Sequence, residues 1–318
     1  MSSEFELIRR HFTRPTRHTV LGAGDDAALL AITPGMELAV SADMLVDGTH
    51  FFGDADPWQL GWKSLAVNLS DLAAMGALPK WATLAIALPQ ADEPWIAQFA
   101  EGFFSCAERY QVDLVGGDTT RGPLAISVQI MGEVQPGKAL RRAGAQPDDE
   151  VWVSGTLGSA ALALAALQGR YTLPADELAS CLPALHMPQP RVELGLLLAP
   201  YASSAIDISD GLLADLGHIL EASRLGAELD LRRVPCGPVV RQRLVEPDIQ
   251  HMALAGGDDY ELCFTAPARF HGDIMRLAQL VALPLSCIGT LREGSGIAVC
   301  GLDGTPLQLD RSGFDHFA

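Results

Sequence analysis

The sequence predicts a mixed α+β / α/β protein of two domains, and three observations carry that reading. At 318 residues the chain is longer than one hydrophobic core usually organises. Apolar residues recur at both strand-like and helix-like periods along its length. The pattern breaks at Val134-Gln135-Pro136-Gly137, and an Arg-, Gly- and Pro-containing stretch over 141–147 follows. The boundary is therefore placed near residue 137, giving domains over 1–137 and 138–318.

The elements follow in order. Ser3 and Glu6 form a capping-box pattern, and Phe5, Ile8 and Phe12 recur at helical spacing, so the chain opens on a helix. A strand is expected from Leu38 to Val46, then a helix from Trp58 to Met75 carrying Leu65, Asn68, Leu69, Asp71 and Leu72. A strand over Thr83–Leu88, an amphipathic helix over Glu93–Tyr110, and strands at Asp113–Val115 and Leu124–Val134 complete the first domain. The second opens on a strand over Glu150–Ser154. Helices over Ser159–Gln168 and Pro190–Leu198, a strand into Asp207 and a helix over Gly211–Ser223 come next. A strand over Tyr260–Thr265, a helix near Asp273–Val281 and late strands around Ile288 and Ile297 finish it. Each domain also carries an apolar run, read as a strand, that leads into Gly-Gly-Asp, at Leu114–Asp118 and Leu254–Asp258.

Composition narrows the function. Hydrophobic residues make up 48% and charged residues 19%, which is ample for burial and unlike a disordered chain. The net charge of −17 disfavours a nucleic-acid backbone or an anionic membrane as partner. The six cysteines show no CxxC pair and no zinc-type spacing with histidine, so they read as reduced, structural thiols. The N-terminus lacks a signal-peptide apolar region and no stretch reaches membrane-spanning length, so a cytoplasmic location is expected.

Aspartate is the recurring chemical signal. Gly24-Asp25-Asp26, Ser41-Ala42-Asp43, Asn68-Leu69-Ser70-Asp71, Gly116-Gly117-Asp118 and Asp207-Ile208-Ser209-Asp210 each close an apolar run. Aspartate after glycine or serine is also ordinary turn and cap chemistry, and recurrence is what favours a shared site. Two carboxylates about 4 Å apart repel by roughly 4 kcal/mol at an effective dielectric near 20, so a cluster requires cations between its members. Oxygen-only ligands select hard cations, and Mg²⁺ in particular accompanies phosphates. The expectation is a magnesium-dependent phosphate enzyme with its carboxylates at the ends of buried strands. Neither a GxxxxGK[ST] loop, a GxGxxG turn after a first strand, nor a kinase HRD or DFG set is present.

The motifs Gly24-Asp25-Asp26-Ala27-Ala28, the run from Asn68 to Ala77, Gly116–Gly122, Asp207–Leu212 and Gly256-Gly257-Asp258-Asp259-Tyr260-Glu261-Leu262 occur in that order. Together they make the chain resemble the thiamine-monophosphate kinases, of the superfamily that includes aminoimidazole ribonucleotide synthetase and selenophosphate synthetase. The resemblance extends to Gly313-Phe314-Asp315-His316-Phe317. It implies an N-terminal domain with a mixed sheet that binds ATP and Mg²⁺ and dimerises, and a C-terminal α/β domain that completes the active site. It implies ATP-dependent phosphorylation of thiamine monophosphate to thiamine diphosphate by direct in-line transfer, in a homodimer whose N-terminal sheets close on each other.

Carried over by position, the resemblance gives Asp26, Ser41, Ala42, Asp43, Asp71, Asp118, Asp207 and Asp210 as metal ligands. Asp71, Asp118 and Asp210 are the catalytic set, with Asp71 bridging ions. Tyr110, Gly117, Asp118, Arg142 and Ser209 would meet ATP. Arg141 competes with Arg142, and Ser209 could equally cap the helix that starts at Gly211. His50, Asp258 and Phe314 would hold thiamine monophosphate, the carboxylate through aminopyrimidine donors and the ring by stacking on the thiazolium. Two positions depart from the pattern. Ala42 stands where threonine is common, leaving only its carbonyl as a ligand, and Asp258 stands where glutamate is common.

Rivals fare worse. A selenophosphate synthetase would show a reactive cysteine or selenocysteine near a lysine early in the chain, and residues 1–40 contain neither cysteine nor lysine. A hydrogenase-maturation relative would end in cysteine, whereas this chain ends in Phe317-Ala318. A noncatalytic nucleotide sensor is disfavoured because nucleotide and acceptor motifs are both present.

Overall fold

A computed structural model describes residues 4–307 and Gly313. The chain divides into two compact units, Met1–Leu72 with Ala77–Ala139, and Ala73–Gly76 with Leu140–Ala318.

In the first unit a short helix, α1 (Glu4–Leu7), runs into a wider helical turn at Ile8–Phe12. There follow β1 (Thr19–Leu21), β2 (Leu29–Leu30), β3 (Glu37–Val46), α2 (Pro57–Ala74), β4 (Leu78–Leu88), α3 (Glu93–Tyr110), β5 (Asp113–Arg121) and β6 (Ala125–Val134). The four long strands pair in the order β3-β6-β4-β5, antiparallel except for β4 with β5. Strand alternation sends Leu84, Ile86, Ile126, Val128 and Ile130 into the core, with Leu65, Leu69, Phe99 and Phe103 from the helices. Two glycines let α2 and α3 touch backbone to backbone: a Cβ on Gly61 would lie 2.0 Å from the Phe99 carbonyl oxygen, and one on Gly102 would lie 1.8 Å from that of Trp58. The α3 boundaries are chemically marked, with the Asp92 carboxylate accepting the Trp95 N–H at one end and left-handed Gln111 at the other.

The second unit contains β7 (Asp149–Ser154), α4 (Ser159–Leu167), α5 (Ala175–His186), α6 (Val192–Leu198), β8 (Ser204–Asp207), α7 (Leu212–Ser223) and β9 (Leu225–Asp230). It continues with α8 (Pro238–Gln242), α9 (Pro247–Ala255), β10 (Leu262–Pro267), α10 (His271–Leu280), β11 (Leu285–Glu293) and β12 (Gly296–Cys300). Its six strands pair in the order β12-β9-β11-β7-β10-β8, and only β12 with β9 is parallel. One face buries Val151, Val153, Ile206, Ala227, Leu229 and Cys263 with Leu162, Leu216, Ile219 and Leu254 from the helices.

Three sequence expectations are corrected. Leu254 lies in a helix, not a strand: Pro247 sits in the first turn of α9, where its missing N–H costs nothing, and the segment winds into Gly256. The two Gly-Gly-Asp segments are therefore not structural echoes. Strand β4 begins at Leu78, five residues early, because a register irregularity between Pro79 and Trp81 lets the proline join the ladder. The aspartates do not all close strands either. Asp43 and Asp118 are mid-strand, because strand pairing continues through polar positions, while Asp71 lies within α2 as the helical spacing predicts. Helix α5, which contains Pro183, and β9, with the short polar-interrupted run LGAELD, had no legible periodicity.

Candidate active site

In the first unit a donor set of oxygens forms where β3 lies over α2. Alternation puts Ser41 and Asp43 on the half-buried side of β3, while Val40, Ala42 and Met44 point the other way and are exposed. The Ser41 hydroxyl donates to Asp71 Oδ2 at 2.5 Å. The backbone N–H of Asp43 donates to Asn68 Oδ1 at 3.0 Å, and Asn68 Nδ2 donates to the Ser64 carbonyl one turn earlier at 3.0 Å. Asn68 is buried, so both ends of its amide are satisfied and it pins β3 to α2. Asn68 and Asp71 are three apart and share a helix face. The structure thus brings Ser41, Asp43, Asn68 and Asp71 together.

These residues fit Mg²⁺. The set is oxygen only, and the hydrogen-bonded Ser41 and Asp71 oxygens, 2.5 Å apart, need to part by about 0.5 Å to take neighbouring octahedral positions at about 2.1 Å from an ion.

Other expected ligands of this unit lie apart from that face. Asp26 is exposed in the turn before β2, where its N–H donates to Asp25 Oδ1 at 2.9 Å. Asp118 pairs in register with Ala85, Ala85 with Ser127, and Ser127 with Met44, which places it on the sheet face opposite Asp43. Gly117 has φ +148°, and a Cβ there would lie 1.7 Å from the Leu84 carbonyl oxygen. Close approach of β4 therefore already requires glycine at this position. Tyr110 is the last residue of α3, half-buried, with the Arg109 guanidinium 5.7 Å from its ring centre. His50 Nδ1 accepts the Val46 N–H at 3.0 Å, so in the neutral ring the proton is on Nε2.

In the second unit two backbone loops lock together. The Ile208 N–H donates to the Glu261 carbonyl, Tyr260 N–H to the Ile208 carbonyl and Asp258 N–H to the Ser209 carbonyl, each at 2.8 Å. A Cβ on Gly257 would lie 2.4 Å from the Ser209 carbonyl oxygen, and one on Gly211 would lie 2.6 Å from the Ala255 carbonyl carbon. This contact holds Asp207, Ser209, Asp210 and Asp258 on adjoining segments. Ser209 does not cap α7, whose N-cap is Gly211 with no side-chain bond. Instead Asp215, from inside the helix, accepts the N–H groups of Ser209, Asp210 and Gly211 on one oxygen at 3.0, 3.0 and 3.1 Å. Burial pushes its pKa up to about 7 against those three donors, and the nearby Asp210 charge adds to the rise.

Two more acids of the Gly256–Leu262 motif are structural. Asp259 is half-buried and accepts the Gly158 N–H on both oxygens at 3.1 and 3.0 Å, at the N-terminus of α4. Burial raises its carboxyl well above the ordinary range, with the charges of Glu261 and Asp258 acting the same way. Glu261 accepts Ser154 Oγ and Arg191 Nε, each at 2.6 Å, and pairs with Arg191 Nη2. Asp215 and Arg191 were missed from the sequence. Helical spacing reads Asp215 as a polar position in α7, and only the turn at Gly211 sends its carboxylate back to the loop.

Arg142 is exposed after the segment in which the Arg141 carbonyl accepts the Ala205 N–H at 3.0 Å. Phe314 lies outside the described residues. Its neighbour Gly313 sits where an added Cβ would be 2.4 Å from Ala214 Cβ and 2.9 Å from the Asp210 carbonyl oxygen.

Residues 24–134 match the family model described as AIR synthase related protein, N-terminal domain, and residues 146–300 match its C-terminal domain. The chain is 46% identical over 319 residues to the thiamine-monophosphate kinase of Escherichia coli O157:H7, covering 99% of this chain and 98% of the relative. It belongs to the thiamine-monophosphate kinases. The Bacillus subtilis thiamine-monophosphate kinase is 34% identical, covering 99% of both chains. Among solved structures, the thiamine-monophosphate kinase of Stenotrophomonas maltophilia K279a superposes with a TM-score of 0.86 at 47% identity, covering 95% of each chain. A structure described as AaThiL complexed with AMPPCP and TMP superposes with a TM-score of 0.79 at 30% identity, covering 90% of this chain and 89% of that one. Hydrogenase maturation protein HypE, at 21% identity and a TM-score of 0.77, shares the fold. Within the thiamine-monophosphate kinase frame, the oxygen set at Ser41, Asp43 and Asp71 and the paired loops at Asp207–Gly211 and Gly256–Glu261 are the acidic motifs of the chain.

Proposed function

We propose that this chain transfers the γ-phosphate of ATP to thiamine monophosphate, giving thiamine diphosphate and ADP, the last step in making that coenzyme. The observation that carries the proposal is full-length identity to thiamine-monophosphate kinases in a chain where Ser41 donates to Asp71 and the Asp43 backbone is tied to Asn68 on the same helix face. A relative of the same fold binds a non-hydrolysable ATP analogue together with TMP, which supports the pairing of substrates.

In this reading a phosphate oxygen of thiamine monophosphate forms a bond to the γ-phosphorus while the bond from that phosphorus to ADP breaks. The acceptor is already anionic near neutral pH, so no strong general base is required of the chain. Several Mg²⁺ ions, when bound, neutralise the phosphate oxygens. Ser41, Asp43 and Asp71 would hold these ions, with Asn68 fixing the Asp43 backbone over the helix. Asp26, the Ala42 carbonyl, Asp118, Asp207 and Asp210 are the further ligand candidates, and Asp71, Asp118 and Asp210 the catalytic set. ATP is assigned to Tyr110, Gly117, Asp118, Arg142 and Ser209. Thiamine monophosphate is assigned to His50, whose Nδ1 accepts the Val46 N–H, to Asp258, which has a left-handed φ of 69°, and to Phe314.

Residues 1–137 would then form the ATP- and Mg²⁺-binding, dimerising domain, and 138–318 the domain that completes the site. A homodimer is supported by the exposed apolar row Leu38, Val40 and Met44 on β3, 41–58% accessible on a paired strand whose other face is packed. No described helix is long and apolar enough to cross a membrane. The net charge of −17 disfavours anionic membrane surfaces and nucleic acid as partners, and a cytoplasmic location is part of this reading.

Incubation with ATP, Mg²⁺ and thiamine monophosphate, followed by chromatography for thiamine diphosphate, tests the activity. Asp71→Asn should fold as the parent does and lose most turnover, since one charge among the shared ligands is removed. Parental kcat in that variant would refute the assignment of Asp71.

A further inference from the structure

The second unit holds a mixed nitrogen, sulfur and oxygen cluster that the kinase reaction does not use. Ligand atoms of Glu150, His271 and Cys287 all lie within 4.8 Å of one another, the one such group of three among the described residues. They come from three elements. Glu150 is on β7, His271 opens α10 and Cys287 is on β11. Cys287 pairs in register with Trp152, two residues from Glu150, so all three strand residues share one sheet face, opposite the face built on Val151 and Val153.

We propose that Glu150, His271 and Cys287 form a site for a borderline divalent transition metal of the zinc class, separate from the magnesium ligands. Donor type argues for this class: imidazole and thiolate with one carboxylate suit Zn²⁺ or Co²⁺, whereas Mg²⁺ takes oxygen alone. Spacing argues for a shared ion. His271 Nδ1 is hydrogen-bonded to the two Glu150 oxygens at 2.9 and 3.0 Å, so the pair needs to open by about 0.5 Å to reach the roughly 3.4 Å between tetrahedral ligands bound at about 2.1 Å. Three protein ligands leave a fourth tetrahedral position for water.

The surroundings restrain the ligands. The His271 ring packs on Trp152 with centroids 4.9 Å apart, and Trp152 in turn stacks on Phe264. The Trp152 indole N–H is fully buried and has no acceptor among the described residues. Glu150 is largely covered, with 15% of its side chain accessible, while His271 is 47% accessible and provides a path from solvent. Burial and the Glu150 charge make the Cys287 thiol hold its proton more firmly than usual, while the neighbouring Arg233 guanidinium acts the other way. Metal binding there displaces that proton to solvent.

The test uses the full-length protein stripped with EDTA and titrated with Co²⁺. One equivalent carrying a sulfur-to-cobalt charge-transfer band is expected, and Zn²⁺ should bleach it by competition. Cys287→Ser should abolish the band, and the surface variant His271→Gln should weaken binding by about 100-fold. Co²⁺ taken up by the oxygen-only set at Asp71 gives no sulfur band, so the readout is independent of thiamine monophosphate kinase activity. A full-strength band in folded Cys287→Ser, or unchanged affinity in His271→Gln, would overturn the site, as would the absence of any sulfur band in the parent.

Discussion

Asp215 offers a sharp test of how the Asp207–Gly211 loop is held. Its carboxylate is buried and one oxygen accepts three backbone N–H groups. Burial raises its pKa from the ordinary 3.8 to about 7. In the folded protein the group therefore keeps, across that window, a proton that the unfolded chain has released. Its contribution to stability is complete below the lower value and is lost as pH rises through the upper one. The full difference corresponds to about 4 kcal/mol, and about 3 kcal/mol of it falls between about pH 5 and pH 8. Asparagine retains an acceptor oxygen in the same shape and does not titrate. Urea midpoints of parent and Asp215→Asn, followed by tryptophan fluorescence in EDTA at those two pH values, give the comparison. The parent should lose about 3 kcal/mol more than the variant on going to the higher pH. Asp259, whose carboxyl is raised in the same direction, is common to both proteins and cancels. Asp215→Ala should be worse at both pH values, because the buried Gly211 donor loses its acceptor at about 1–3 kcal/mol and the half-buried Ser209 and Asp210 donors lose theirs as well. Parallel pH dependence in parent and Asp215→Asn would refute the reasoning.

Three further outcomes follow from the geometry. Gly117→Ala would drive a methyl into the Leu84 carbonyl at 1.7 Å, so β4 and β5 must separate; a loss of at least about 2 kcal/mol in denaturant unfolding is expected. Arg191→Leu would leave Glu261 buried without its cation and cost about 3–5 kcal/mol, whereas the double variant with Glu261→Gln should recover part of it, as a double-mutant cycle would show. Val40→Glu places a charge in the exposed apolar row of β3, and the proposed homodimer should elute as a monomer in size-exclusion chromatography.

Much of the element order was legible because it rests on local pattern. The amphipathic repeat over Glu93–Tyr110 gave α3 to the residue, since Asp92 and Gln111 mark its ends chemically. The apolar alternation over Leu38–Val46 likewise gave β3 within one residue. Where local signals were ambiguous the reading failed. Met252-Ala253-Leu254 is equally apolar as strand or helix, and the turn at Pro247 decided it.

The donor chemistry was also legible: aspartate, serine and asparagine in recurrent motifs announced an oxygen site for Mg²⁺ and phosphate. Their grouping was not, because a residue's face depends on register and a shift of one position reverses it. Pairing across β3, β6, β4 and β5 puts Ser41 and Asp43 beside Asp71 and turns Asp118 to the other face. Sequence alone determined which atoms could bind cations and which family the chain resembles. Tertiary structure alone decided that Asp215, Asp259 and Glu261 are engaged in holding loops together, because that depends on the donors that long-range packing brings to each carboxylate.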